Sequence, residues 1–499
     1  MSRVPTRRAF GHAFIGTLAS MAAGPVVGAR GQVAPPPPEP LKPGGLLSVT
    51  RGGVDFRTPL DVPSEGGGID LHWQPTSPGA PPGEVWGYGM GTPFQVAPRL
   101  AGLFLNIHRK YGPGIDYEVG NDVVLFDDLE TIRPTAKTTI AVTRHQLGFV
   151  PWGARRADGS PHPHAGTGFG INQAIAWPLD NDDLTTWGRD GSPLHRRSFR
   201  GPNAYVYTEL HQLEYDPSGG FRVAKTERLS KAQLSARLPP GWELGGLGLA
   251  SAIPDGDDLL APMGAGQVGG GRGGPGVARS RRDGEGWHPV AFTPLDGAGP
   301  SFEPSLVRDL DGSLLMAVRG SAETTTHSLR IWRSRDGGTT WEIMIDLPDL
   351  VSRAPITLNR ATDGTPYIVA NLNEVYLHPM ASRFLYPWRD SAGRPRMAGW
   401  SREKQYLWPL NGERTGVERP LLARDGWAEF GPPPGESSWS IDHPQGATVQ
   451  LRDGRWRHVL GSRVLETGEV LYQFGPTEHS GTYLEEVVSA GDPVPSWDF

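Results

Sequence analysis

Two residues sixteen positions apart, Glu303 and Arg319, flank a stretch that reads as a tight β-hairpin. Residues 303–308 form a short β-run, and Asp311-Gly312 is a turn signal. Residues 313–319 return with Leu314, Met316 and Val318 alternating to one face. Out and back over that distance brings the carboxylate and the guanidinium to one end of the hairpin. A carboxylate there can accept a proton, and a guanidinium fork stays charged and fits a carboxylate bidentately. A second group is Asp442-His443-Pro444. Histidine beside a carboxylate can abstract a proton or protonate a leaving oxygen near neutral pH. His162 and His164, two apart before a glycine-rich loop, form a third group, and His211 lies on a strand pattern with Tyr205 and Tyr207. Metal ligation by His162 and His164 would need a regular strand, which the prolines at 161 and 163 disfavour. No metal or other cofactor is expected.

The elements that hold these residues read as strands. The chain has 499 residues, with 68 Gly and 49 Pro and no fixed period, which suits many turns and short strands. Helical periodicity is scarce; residues 229–238 and 347–351 allow short helical turns at most. One pattern recurs: apolar strand, Asp-Gly turn, apolar strand. Its turns sit at Asp255, Asp311, Asp363 and Asp453, spaced 56, 52 and 90 residues apart. The last gap has room for an insertion or one more unit. Strand repeats of this length are propeller blades. Further strands at 133–158 and 205–223, and a unit drawn from 47–124, bring the expectation to six blades of four antiparallel strands, with five or seven as alternatives. Gly264, Gly266 and Gly269 spell a dinucleotide fingerprint, but no helix pattern follows, so the run reads as a flexible loop.

The stretch Ser334-Arg335-Asp336-Gly337-Gly338-Thr339-Thr340-Trp341 matches the Asp-box, S-x-D-x-G-x-T-W, at each fixed position. A degenerate copy at 280–287 ends on Trp287. The box is a local staple: the Asp accepts backbone N–H groups inside a turn, Gly permits positive φ, and Trp covers a sheet edge. With these motifs the chain resembles the sialidase superfamily of β-propellers, over roughly residues 133–489. The resemblance implies a site at one axial end of the propeller. It implies Glu303 as the base that sharpens a nucleophile, and Arg319 with Arg133 (in Thr131-Ile132-Arg133-Pro134) as members of a carboxylate clamp. Arg353, Arg383 and Arg389 are candidates for the third clamp residue, and Asp158 for the acid/base aspartate. The family's nucleophilic tyrosine aligns with His443 here, and Asp442 beside it is assigned to substrate. The implied activity is glycoside hydrolysis of an anionic glycan. Two alternatives stay open: a propeller polysaccharide lyase using His and Tyr, and a non-catalytic propeller that binds glycan or protein.

Residues 1–29 carry Arg3, Arg7 and Arg8, no acids, and a weakly apolar run after Thr6-Arg7-Arg8-Ala9-Phe10, which resembles a twin-arginine export signal. Residues 30–46 form a Pro-rich linker, and 47–499 the propeller. The expected location is the periplasm or the exterior. The run is too short and polar for a stable membrane span. The net charge is −6, and setting aside the three leader arginines leaves −9, with no basic stripe for nucleic acid. There is no Cys, hence no disulfide or thiolate chemistry.

Overall fold

The chain divides into Met1–Glu39 and Pro40–Phe499. The computed structural model describes residues 48–56, 84–112, 115–129, 136–141, 145–176, 205–230, 236, 240–247, 251–267, 271–295, 302–319, 328–348, 354–371, 386–389, 395–398, 402–431, 438–467, 474–475 and 481–494. All lie in the second unit, which is a six-bladed all-β propeller. Strand β1 (Ser48–Phe56) belongs to the last blade. The first blade is β2 (Glu84–Ala97), β3 (Leu100–Gly112), β4 (Ile115–Phe126) and β5 (Ala136–Ala141). The second is β6 (His145–Val150), β7 (Thr167–Ala176), β8 (Tyr205–Asp216) and β9 (Gly220–Ser230). In the third, β10 (Trp242–Leu247) and β11 (Ile253–Asp255) both pair with β12 (Asp258–Gln267), followed by β13 (Gly271–Asp283) and β14 (Gly286–Pro294). The fourth is β15 (Phe302–Arg308), β16 (Leu314–Arg319), β17 (Ser328–Ser334) and β18 (Glu342–Pro348).

The fifth blade begins with β19 (Thr357–Arg360) and β20 (Pro366–Ala370). A separate hairpin, β21 (Tyr386–Arg389) with β22 (Pro395–Ala398), intervenes before β23 (Lys404–Pro409) and β24 (Leu421–Asp425). The 90-residue gap thus holds an insertion and no seventh unit. After a five-residue helix, α1 (Gly426–Phe430), the sixth blade contributes β25 (Ser438–Gln450), β26 (Trp456–Thr467), the short β27 (Phe474–Gly475) and β28 (Gly481–Val488). Its outer edge is β1, antiparallel to β28. The first and last described strands therefore close the ring in one sheet. The stretch expected to build a sixth unit is split: its start completes the sixth blade and the rest builds the first. Of the glycines read as a flexible loop, Gly264 and Gly266 pair within β12, and β13 starts at Gly271, while Gly269 lies outside the described residues.

The seams between successive sheets from the first blade to the sixth are filled by apolar side chains from both sides. On β16, Leu314, Met316 and Val318 pack with Leu260 and Val277 of the third blade, while Leu315 and Ala317 pack with Ile356, Leu358 and Ile368 of the fifth. A strand buried on both faces needs an apolar residue at every position, and β16 has one until Arg319. Where the last blade meets the first, Gly461 lies so close to Gly91 that a Cβ at 461 would stand 2.4 Å from the Gly91 carbonyl oxygen. Only glycine fits that approach.

The Ser334–Trp341 turn is held from within. Asp336 Oδ1 accepts the N–H groups of Thr339 (3.0 Å) and Thr340 (2.8 Å), and Oδ2 accepts the Thr340 hydroxyl (2.6 Å). Gly337 and Gly338 have φ of 70° and 92°. Hydrogen bonds, first from the Thr340 hydroxyl, lower the Asp336 carboxyl to about 2. Trp341 donates Nε1–H to the Gly338 carbonyl at 3.1 Å and packs, half-buried, on the seam between blades three and four.

Candidate functional site

In the fourth blade the Asp311-Gly312 turn lies at one end of β15 and β16, so Glu303 and Arg319 share the other. Arg319 NH1 donates to Glu303 Oε2 at 2.5 Å, and both side chains are buried. Glu303 is an extra residue in the ladder: Phe302 pairs with Arg319 and Pro304 with Val318. The bulge leaves Glu303 at φ 60°. The sixth blade repeats the device. Asp442 pairs with Arg463 and Gln445 with Gly461, so His443 and Pro444 face one residue, and His443 sits at φ 49°. Asp442-His443-Pro444 thus lies inside β25, at its bulge.

Asp442 is fully buried and is the node of the cluster. Arg463 grips it with two bonds, Nε to Oδ1 at 2.7 Å and NH2 to Oδ2 at 3.0 Å. Arg402, from the fifth blade, ion-pairs with Oδ2, and the Ser440 hydroxyl donates to the same oxygen at 2.8 Å. The fifth contact is from His443, whose Nδ1 lies 2.6 Å from Asp442 Oδ1. Burial pushes the Asp442 carboxyl up, but Arg463, His443 and Arg402 outweigh it and hold the group well below the usual carboxylate range. Asp442 is thus an anion that can only accept, which makes His443 Nδ1 the donor and leaves the lone pair on Nε2. Burial first, then Arg463, lowers His443 to about 4, against the opposing pull of Asp442 and Glu303. His443 Nε2 is buried and has no hydrogen-bond partner.

Electrostatics joins the two halves. Glu303 acts on His443, and Arg319 acts on Arg402, whose guanidinium burial lowers to about 10. Six residues from three blades thus form one cluster: Glu303, Arg319, Arg402, Asp442, His443 and Arg463. Its three guanidinium groups face two carboxylates and a neutral imidazole, so the six carry one net positive charge. Such a set can hold an anionic oxygen pair and present a neutral base beside it.

Other expectations fare differently. Arg133, Arg353 and Arg383 lie outside the described residues, as does the side chain of Arg389. Asp158 is not part of the cluster. It sits in the exposed turn between β6 and β7, where Oδ1 accepts the N–H (2.8 Å) and hydroxyl (2.6 Å) of Ser160. Arg156 of that turn bonds Asp257 in the β11–β12 turn, which places Asp158 at the turn end of the blades, away from Glu303. Asp442 was expected to touch substrate, but both its oxygens are taken by protein groups. His162 (Nε2 3.1 Å from the Gly256 carbonyl) and His164 (edge-on to Trp287, centroids 5.3 Å apart) also lie at the turn end. His211 is buried in β8 with Nδ1 3.0 Å from the Thr226 hydroxyl.

Arg402 and Arg463 were missed. Arg463 had a signal: Asp442 and Arg463 flank the Asp453-Gly454 turn much as Glu303 and Arg319 flank Asp311-Gly312. Arg402 had none, because it follows the inserted hairpin.

No protein-family model matches the chain. No curated protein matches it either. Several solved structures are similar in fold. A Trypanosoma rangeli sialidase in complex with an inhibitor is 13% identical, with TM-score 0.42, over 80% of this chain and 54% of that one. The chain therefore spans about half of that sialidase's length. A Penicillium chrysogenum α-L-arabinanase complexed with arabinobiose is 10% identical, with TM-score 0.41, covering 90% of this chain and 100% of that one. A Dyadobacter fermentans protein of unknown function is 14% identical, with TM-score 0.45, covering 81% and 94%. Identities and scores this low assign no chemistry, which must come from the chain's own residues.

Proposed function

We propose that the chain is a glycoside hydrolase acting on an anionic glycan, with the six-residue cluster as its catalytic centre. The observation that carries this reading is His443 Nε2, a buried lone pair without a partner, on a ring that Asp442 orients at 2.6 Å. A buried polar atom left unsatisfied calls for a role. Arg319 is the most exposed of the six, at 9%. It is the group a ligand carboxylate would meet first, sharing it with Glu303. His443 Nε2 then takes the proton of the attacking water as the glycosidic C–O bond breaks, the departing oxygen takes a proton from solvent, and the Glu303 carboxylate stabilises the positive charge that grows on the sugar ring. Asp442, with Arg402 and Arg463, keeps the imidazole in the base-competent tautomer.

The same neutral base favours a second reading, β-elimination beside a uronate. There Arg319 would offset the uronate charge while His443 removes the proton on the carbon beside the carboxylate, the C–O bond to the leaving sugar breaks, and the imidazolium returns the proton to the leaving oxygen. One experiment separates the readings. The purified protein is incubated with sialic-acid-containing glycans, uronic-acid-containing polysaccharides and neutral arabinan, and both new reducing ends and ultraviolet-absorbing unsaturated uronate are measured. Hydrolysis gives only the first product and elimination gives both. His443→Gln should abolish either activity while the fold persists. Full activity in that variant removes His443 from the chemistry, and binding without turnover on every glycan makes the chain a binding propeller. Export through a twin-arginine signal to the periplasm or exterior completes the reading, on the strength of Arg7 and Arg8 before an apolar run.

A further inference from the structure

The seam between the fifth and sixth blades carries two buried amides. Asn371 and Gln405 follow the last β20–β23 pair, Ala370 with Tyr406. Asn371 uses both amide hydrogens: Nδ2 donates to the Lys404 carbonyl at 2.7 Å and to the Ile441 carbonyl at 2.9 Å. Ile441 is the residue before Asp442, and its own N–H donates to the Arg402 carbonyl at 2.6 Å. Gln405 Oε1 accepts the hydroxyl of Ser462, the residue before Arg463, at 2.9 Å. The amide pair therefore reaches across the seam and holds the two residues that precede the Asp442–Arg463 ion pair. Each amide also keeps one buried atom with no partner, Asn371 Oδ1 and Gln405 Nε2.

We propose that Asn371 and Gln405 are positioning residues that hold the Asp442–His443 pair in register for its chemistry. A seam built only for stability would carry aliphatic side chains here, as the same seam does at Val369, Leu407 and Leu460. A half-satisfied buried polar pair is worse for stability than an apolar one. What the amides add is placement. The Ile441 peptide is gripped on both sides, its N–H by Arg402 and its C=O by Asn371, just before a backbone turn into φ 49° at His443. Without that grip the bulge can relax, and the Nδ1–Asp442 hydrogen bond that sets the tautomer goes with it. The proposal rests on His443 being the base, but its test does not need a substrate.

The test uses the full chain with 15N-labelled histidine and two near-isosteric apolar variants, Asn371→Leu and Gln405→Met. Ring nitrogen shifts at pH 7 report which nitrogen of His443 carries the proton, with His443→Gln for assignment, and thermal unfolding reports stability. Wild type should show Nδ1 protonated and Nε2 bare. Asn371→Leu should show a mixture of tautomers and a lowered unfolding midpoint, since the Lys404 and Ile441 carbonyls lose a donor, and Gln405→Met the same with a smaller change; a tautomer shift supports the proposal at any midpoint at which the chain stays folded. An unaltered tautomer in both variants overturns the proposal, whether or not the midpoint falls. If the tautomer shifts as expected while no variant alters glycan turnover, positioning stands and the hydrolase reading fails.

Discussion

Acid should weaken this fold through His443, and the size of the effect follows from its burial. A histidine free in the unfolded chain titrates near 6.5, whereas in the fold His443 titrates at about 4. Below pH 6.5 the unfolded chain takes up a proton that the folded chain refuses, so stability falls with falling pH until about pH 4, where the folded ring protonates too. A gap of 2.5 units corresponds to about 3 kcal/mol lost across that window. His458 adds to it. It lies fully buried between the Tyr367 hydroxyl (2.6 Å) and the Thr448 hydroxyl (3.0 Å), and burial lowers it to about 3. Its share is about 5 kcal/mol, lost between pH 6.5 and 3. The two losses together rival the whole stability of a typical domain. Asp442 adds its own loss only toward the acid end, as the unfolded carboxylate protonates at about pH 3.9 while the folded one stays ionised, so it contributes little above about pH 4.5. Urea unfolding of wild type, His443→Gln and His458→Gln between pH 6 and pH 4.5 isolates each ring. Near pH 5 each variant should lose about 1 kcal/mol per pH unit of slope relative to wild type. Parallel curves for wild type and His443→Gln would mean that His443 charges freely in the fold, and its standing as a neutral buried base would fall.

Three further outcomes test the frame and the leader. Trp341→Ala should cost about 1–3 kcal/mol in urea unfolding, less than a fully buried Trp because the ring is half-exposed, and no change would show that the ring does not seal the seam. Gly461→Ala should lower stability by about 1–3 kcal/mol, since its methyl meets the Gly91 carbonyl where the ring closes, and a neutral result would show that the two sheets can part there without loss. Replacing Arg7 and Arg8 together by Lys should leave the precursor in the cytoplasm on fractionation, and normal export would point to the general secretory route.

The blades were legible because two local rules repeat along the chain. Period-two alternation told which residues of β16 share a face, and Asp-Gly turns marked the start of the return strand in blades three to six. Leu314, Met316 and Val318 pack on one seam and Leu315 and Ala317 on the other, as alternation requires. What alternation does not carry is the partner of an edge strand. Strand β1 pairs with β28 more than four hundred residues away, and nothing in residues 48–56 names that partner. The glycines of β12 and β13 misled for a related reason. Their composition resembles a loop, but their carbonyl and N–H groups are taken up in a ladder whose neighbours fill the space that side chains would need, as Phe292 and the Thr293 carbonyl do beside Gly276.

The site was legible wherever a hairpin folds it. Glu303 with Arg319, and Asp442 with Arg463, are each one out-and-back around an Asp-Gly turn, so chain arithmetic alone brings each acid to its arginine. Asp158 failed the same arithmetic: it is a turn residue, and turns lie at the far end of the strands. Arg402 could not be read at all, because it joins Asp442 across a seam. Backbone conformation links two of these pieces. Among the described residues only Arg99, Glu303, Arg414 and His443 are non-glycine residues with positive φ, and two of these four stand in the cluster. Arg414 makes a bidentate pair with buried Asp309 at the turn end, so strain alone does not mark a site. At Glu303 and His443, however, each strained residue is also the bulge that turns an ionisable side chain out of the ladder. A regular strand would send alternate residues into the two seams, where a carboxylate and an imidazole would face Leu and Ile. The bulge releases them from that alternation, and the left-handed backbone is what it costs the fold to aim both groups at one place.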